Sequence, residues 1–158
     1  MAAAEFLNFE WRTPGLYKAP AQTVGEICDD LSRTPDGLTP ATLLDAARDE
    51  ASPLHDDFEW RDDVAAEKYR QRQAQDMIRN LRIVVKREDS TEQRERSFVV
   101  TGERKSIYVP LLRALSNEEW KKSLLAQAET DAQVFLAKYQ RLEELQSIVT
   151  AMRDFIDK

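Results

Sequence analysis

The sequence predicts an α+β fold that is mostly helical, with a small antiparallel β region. Three observations support this prediction. Apolar residues recur at helical spacing over most of the chain. Residues 83–87, 97–101 and 106–109 instead group β-branched and aromatic side chains between polar turns, which predicts a three-stranded β meander. An apolar fraction of 42% in 158 residues is ordinary for a globular protein.

The chain is predicted to have three parts. In residues 1–20, Leu7, Phe9 and Trp11 alternate with polar residues before a Pro-Gly turn, which is typical of an extended arm. Residues 21–115 form a predicted helical domain that includes the meander, and residues 116–158 form a C-terminal helical segment.

The helical domain opens with a predicted three-helix unit. The first helix runs from residue 21 to about residue 33, with Cys28 as a buried apolar position. Thr39 and Pro40 predict the start of the second helix, because Thr caps a helix well and Pro fits its first position. Residues 52–60 follow as an acidic elbow, and the third helix is predicted over residues 61–81.

The C-terminal segment is predicted to start at an N-cap, Ser116, with Glu119 completing a capping box. An unbroken helix from there would extend about 60 Å, so we expect it to fold back near Thr130 and Asp131 as a helical hairpin, or to reach a partner. Its apolar residues follow a heptad pattern, which fits either a helix packed on the domain or a coiled-coil contact with another chain, and we expect a homo-oligomer. The predicted oligomerisation residues are Phe135, Leu142, Leu145, Val149, Met152 and Ile156.

Charge is divided unevenly along the chain, although the net charge is −6. Residues 1–65 hold 14 acidic and 5 basic side chains, whereas residues 66–115 hold 7 acidic and 12 basic ones. The middle of the chain is therefore a basic region next to an acidic one.

The basic residues of the middle region are ordered. Lys68, Arg72, Gln75, Arg79 and Arg82 follow at intervals of four, three, four and three, which stacks them along one helix face. Aligned Lys and Arg side chains match the phosphates of a nucleic acid, although such a stripe is also common on a solvated helix face. The predicted nucleic-acid-binding residues are Lys68, Arg72, Arg79, Arg82, Lys86, Arg87, Arg94, Arg96, Arg104 and Lys105.

The sequence contains no recognisable pattern of catalytic residues. One Cys and one His do not make a zinc site, and the four glycines form no nucleotide-binding loop. His55 beside Asp56, Asp57 and Glu59 could hold a cation, but an acidic loop is the favoured interpretation. We therefore predict a protein that is not an enzyme and has no catalytic residues, metal or cofactor.

The expected location is the cytoplasm. No run of about 20 apolar residues is present, and the first residues lack the basic and apolar regions of a signal peptide.

Several short segments in the first half of the chain carry a resemblance to a known family. They are residues 38–40 (LTP), 47–49 (ARD), 52–55 (SPLH), 58–60 (FEW), 65–67 (AAE), 69–70 (YR), 73–74 (QA) and 78–79 (IR). With them the chain resembles an uncharacterised family of small proteins encoded in bacteriophages and prophages. The resemblance implies a viral or prophage origin and a host-cell setting, and it implies no catalytic residues.

Two functions fit the sequence. The first is a non-enzymatic nucleic-acid-binding protein, with DNA as its partner, that assembles through its C-terminal segment. The second is an adaptor or inhibitor of a host system, in which the acidic first half meets a host or phage protein. The ordered basic residues favour the first.

Overall fold

The fold class is the predicted one. The structure, a computed structural model, describes residues 5–61, 66–101 and 107–158. Helices dominate it and its strands pair antiparallel, so the prediction of a mostly helical α+β protein is confirmed. The chain divides into two compact units, residues Met1–Ala114 and Leu115–Lys158.

The elements are given in chain order within each type. The strands are β1 (Glu5–Trp11), β2 (Leu81–Lys86), β3 (Glu92–Arg96), β4 (Phe98–Val100) and β5 (Tyr108–Pro110). The α-helices are α1 (Ala21–Ser32), α2 (Pro40–Ala47), α3 (Ala66–Asn80), α4 (Leu111–Ser116), α5 (Glu118–Tyr139) and α6 (Gln146–Ile156). Short 3-10 helices cover His55–Asp57 and Glu143–Leu145.

The predicted three-stranded antiparallel sheet is present, but its strands differ from those predicted. Its order is β1-β2-β3, and β4 pairs with β5 in a separate two-stranded sheet. The N-terminal segment predicted as an arm thus supplies β1, which pairs with β2 from Glu5 to Trp11. β3 lies between the segments at residues 83–87 and 97–101 that were predicted as strands, and it was not predicted because each of its five residues is polar. Residues 102–106, which include the turn predicted between the last two segments of the meander, lie outside the described residues.

Helix α1 packs closely against the sheet at a glycine. The Phe9 ring of β1 lies against Gly25 so closely that a Cβ atom there would overlap the ring. On its other side Phe9 stacks on Phe98, with ring centroids 6.2 Å apart and planes 4° from parallel. Gly25 therefore sets how closely α1 approaches β1.

The predicted start of α2 is confirmed by a reciprocal cap. The Thr39 hydroxyl accepts from the Thr42 N–H at 3.0 Å, and the Thr42 hydroxyl accepts from the Thr39 N–H at 2.9 Å. Both hydroxyls satisfy backbone N–H groups at the helix start. The helix then buries Leu43, Leu44 and Ala47, and it packs against α3.

The acidic elbow has a structural role. The Asp57 carboxylate accepts from the N–H groups of Lys18 and Ala19, at 2.7 and 2.9 Å, and so ties the N-terminal segment to the elbow. His55 stacks on Trp60 with centroids 4.8 Å apart, and its Nδ1 lies 3.0 Å from the Ala47 carbonyl oxygen. Asp57 and His55 are thus both engaged by contacts within the first unit.

In the second unit α5 and α6 pack on each other as a helical hairpin. The chain turns after Tyr139, about ten residues later than the predicted bend, because α5 continues through Thr130, whose hydroxyl donates to the Ala126 carbonyl. The predicted N-cap at Ser116 was also wrong. Ser116 ends α4, and the Asn117 side chain caps α5 by accepting from the Trp120 N–H at 3.0 Å.

Candidate nucleic-acid interface

Helix α3 presents part of the predicted basic stripe. Lys68, Arg72 and Arg79 are exposed, whereas Ala74 and Met77 face the core. The helical pattern separates these three charged side chains from Ala74 and Met77, but Arg70 is buried and Tyr69, expected on the apolar side, is 55% exposed. The predicted first turn of this helix, beginning at residue 61, extends into residues 62–65, which lie outside the described part of the chain.

Arg82 does not continue the helical stripe, because α3 ends at Asn80 and Arg82 is the second residue of β2. Its Nη1 donates to the carbonyl oxygens of Arg79 at 2.7 Å and Leu81 at 2.9 Å. The guanidinium thus covers the carbonyl end of α3, where the helix dipole favours positive charge.

Three arginines lie near one another at one end of the three-stranded sheet. Arg82 on β2 lies directly opposite Arg96 on β3, and such partners project from the same face. Arg12 directly follows β1, and its N–H donates to the Asn80 carbonyl at 2.8 Å, which places it beside the same end of β2. We call Arg12, Arg82 and Arg96 the arginine cluster.

The arginine cluster is electrostatically strained. Burial, followed by repulsion from Arg12 and Arg96, lowers the pKa of Arg82. Among the described residues, none of the three side chains forms an ion pair. Like charges held together without an ion pair favour a bound anion, which would relieve their repulsion.

Glu10 is the nearest candidate for a neutralising residue, because it lies opposite Arg82 in the sheet. Its carboxylate is bound instead by Arg94, at 2.5 Å from Nε and 3.2 Å from Nη2. Arg94 thereby engages the carboxylate of the residue that lies opposite Arg82.

The structure separates the other predicted basic residues from the cluster. Lys86 ends β2, about 13 Å along the strand from Arg82, and it pairs across the sheet with Glu92. Arg87 follows it in an exposed turn next to Glu88 and Asp89. Arg104 and Lys105 lie outside the described residues.

Arg12 was missed by the sequence interpretation. Glu10 and Arg12 are two residues apart at the end of an alternating segment, so they share a face once that segment becomes a strand. Placing that face beside Arg82 requires knowledge that β1 pairs with β2.

The predicted oligomerisation residues do not form one continuous seam. The turn after α5 separates Phe135 from the others, and Leu142 lies in that turn. Val149 on α6 is fully buried, whereas Leu145, Met152 and Ile156 are half-buried.

Within the second unit a groove of about 480 Å³ runs between α5 and α6. Ala128 and Ala132 of α5 face Ile148, Ala151, Met152 and Phe155 of α6 across it. Ile148 is 44% exposed and Phe155 is 40% exposed, so the groove presents apolar surface to solvent.

Groups of three or more Cys, His, Asp or Glu side chains suited to a metal ion do not occur in the described parts of the chain. Across those same residues, no helix has both the length and the apolar composition needed to cross a membrane. Comparison of the chain with protein-family models, curated proteins and solved structures found no match.

Proposed function

We propose that this protein is a non-enzymatic nucleic-acid-binding protein that holds phosphate groups at the arginine cluster and acts as an oligomer. The observation that carries the proposal is the proximity of Arg12, Arg82 and Arg96 at one end of the sheet, where none of them forms an ion pair among the described residues. Lys68, Arg72 and Arg79 on α3 add positive charge to the same unit.

Arginine suits this role because its planar guanidinium can give two parallel hydrogen bonds to one phosphate. Arg82 is already held by two backbone carbonyls, so little side-chain freedom remains to be lost on binding. Arg12 and Arg96 are exposed and can reach outward. Contacts of this kind release counterions, so affinity should fall steeply as salt rises.

The C-terminal hairpin supports the oligomeric part of the proposal. Two hairpins can join as a four-helix bundle, which would cover the groove between α5 and α6. Residues 115–158 carry 6 basic and 8 acidic side chains, so charge opposes self-association only weakly. Linked copies of a weak phosphate site would bind one nucleic acid with much higher avidity.

The alternative function, an acidic adaptor for a protein partner, has less support. Several acids of the first half are already engaged by neighbours in their own chain. Asp45 pairs with Arg48, Glu59 with Arg61, and Glu10 with Arg94. Engaged acids contribute less net field to a distant basic partner than the residue count suggests.

The resemblance to phage-encoded proteins adds a setting to this proposal. A protein of that kind would work in the host-cell cytoplasm, where phage or host DNA supplies the phosphates.

The test is fluorescence anisotropy with labelled double-stranded and single-stranded DNA over a salt series. The variant Arg12→Gln/Arg96→Gln should weaken binding about tenfold or more and reduce the salt slope by about two. Arg82 is left intact, because it also covers the end of α3.

The matched control is Arg48→Gln, since Arg48 is an arginine already paired with Asp45 and Glu67. It should bind DNA almost as the parent protein does. An equal loss of DNA affinity in the control and in the cluster variant would show that binding depends only on net charge, and it would contradict the proposed site.

Self-association is tested by light scattering over a range of concentrations. Ile148→Ser/Phe155→Ser should reduce the measured mass toward that of one chain. Leu16→Ser, at a residue 55% exposed in the first unit, serves as the control and should leave the mass unchanged. A parent protein that stays monomeric at high concentration would rule out the hairpin interface.

A further inference from the structure

A cleft of about 460 Å³ opens beside α1 in the first unit, away from the residues assigned to phosphate. Its apolar lining comes from the sheets and the start of α4. These residues are Phe6, Phe9, Ile83, Phe98, Pro110 and Leu112. Phe6 is 42% exposed and Leu112 is 38% exposed, so the apolar lining reaches the surface. A volume of this size is typical of sites for small molecules.

The cleft also contains a buried polar group that lacks a partner. Ser97 lines it and is only 2% exposed, yet its hydroxyl makes no hydrogen bond among the described residues. The Ser97 N–H donates to the Leu81 carbonyl, and the Ser97 carbonyl accepts from the Leu111 N–H at 2.9 Å. Its backbone is therefore fully used, and the hydroxyl remains for a ligand. Buried polar atoms without a partner are uncommon in proteins.

The rim of the cleft carries three carboxylates and two guanidinium groups, and so a net negative charge. Asp29 pairs with Arg33 at 2.7 Å and with Arg113 at 3.7 Å. Asp30 forms no ion pair within the described residues, and Glu26 accepts a hydrogen bond only from neutral Gln22 there, at 2.9 Å. Glu26 and Asp30 are four residues apart on α1, so they lie on the same side of the helix. This pair of carboxylates favours a cation at the mouth of the cleft.

We infer that this cleft binds a small aromatic amine that carries a hydrogen-bonding group at the far end of its ring. The ring lies against Phe9, Phe98 and Leu112. The far polar group bonds to the Ser97 hydroxyl, and the ammonium group lies between Glu26 and Asp30. This inference does not depend on nucleic-acid binding, because it uses none of the residues of the arginine cluster.

The test uses tyramine as the probe and follows backbone amide signals of the full chain by two-dimensional NMR. Tyramine should produce saturable shifts in residues around the cleft, such as Gln22, Asp30 and Leu112. Phenethylamine lacks the phenol hydroxyl and should bind about threefold to tenfold more weakly. The acid 3-(4-hydroxyphenyl)propionate has the ring but the opposite charge and should bind about tenfold more weakly or not at all.

Variants assign the contacts. Glu26→Gln/Asp30→Asn should weaken tyramine about tenfold, and Ser97→Ala should remove the advantage of tyramine over phenethylamine. Asp36→Asn is the matched control, because it removes an exposed carboxylate outside the cleft and should leave binding unchanged. Each variant's own amide spectrum shows whether it is folded.

Three results would overturn the inference. They are the absence of saturable shifts at the cleft, equal binding of the acid and the amine, and shifts confined to α5 and α6. Ser97→Ala that remains folded and still prefers tyramine over phenethylamine would remove Ser97 from the site.

Discussion

The two units of the chain differ in what they bury. In residues 1–114 large side chains such as Leu38, Leu43, Leu44, Leu54 and Leu81 are fully buried in one cluster. In the second unit only Ala132 and Val149 are buried among the described residues, while Leu125 and Val134 are each about half exposed. The first unit therefore has a core of its own, whereas the hairpin leaves most of its apolar surface for another chain or for solvent.

The largest expected effect comes from separating the two units. Residues 1–114 alone should fold and unfold cooperatively, because their core is complete. Residues 115–158 alone, at low micromolar concentration, should lose most of their helical circular dichroism. An isolated hairpin that keeps full helicity at every concentration would contradict the proposed difference between the two units. Helicity that rises with concentration would indicate self-association.

Truncation of a core leucine is the next largest effect. Leu44→Ala should lower the free energy of unfolding by about 2–5 kcal/mol, because Leu44 is fully buried and its loss leaves a cavity. The matched change Leu125→Ala, at a side chain 49% exposed on α5, should change it by less than about 0.5 kcal/mol at low protein concentration. Urea titration of both variants measures the difference, and similar losses would contradict it.

Gly25→Ala tests the approach of α1 to β1. The added methyl group would overlap the Phe9 ring, so we expect a loss of about 1–3 kcal/mol despite the better helix propensity of Ala. Gly25→Ala/Phe9→Leu should recover part of this loss. A single variant as stable as the parent, measured by thermal unfolding, would show that the ring moves aside without cost.

The smallest effect concerns ionisation at the edge of the first unit. Burial, with added repulsion from Asp76 and Asp57, raises the pKa of Tyr17 from 10.0 to about 12. Because the folded state favours the neutral phenol, its contribution to stability is present below pH 10 and is lost as the pH rises toward 12. Absorbance titration should show a late tyrosine component that is missing in Tyr17→Phe, and identical curves would refute the shift.

The local features of the fold were predictable from the sequence. The apolar spacing around Val24 and Cys28 located α1, and Thr39 before Pro40 located the start of α2. Both signals act within a few residues. The same holds for Lys68, Arg72 and Arg79, whose exposure on α3 follows from helical spacing.

The remaining features depend on contacts between distant segments. β3 has only polar residues, and its pairing with β2 defines it. Arg82 is not part of the helical stripe because α3 ends at Asn80. No Gly or Pro beside Asn80 indicates this helix end in the sequence. The arginine cluster arises only when β1 pairs with β2, and that pairing joins residues about 70 positions apart.

The large sequence separation between β1 and β2 affects folding during synthesis on the ribosome. β1 is synthesised first, but β2 is complete only at Lys86. At about 5–20 residues per second, the N-terminal segment spends about 4–15 s on the ribosome without its neighbour. During that time Phe6, Phe9 and Trp11 are carried by an unpaired strand, which can be captured by a chaperone or by another nascent chain. The yield of folded protein should therefore depend on the rate of translation between residues 12 and 86.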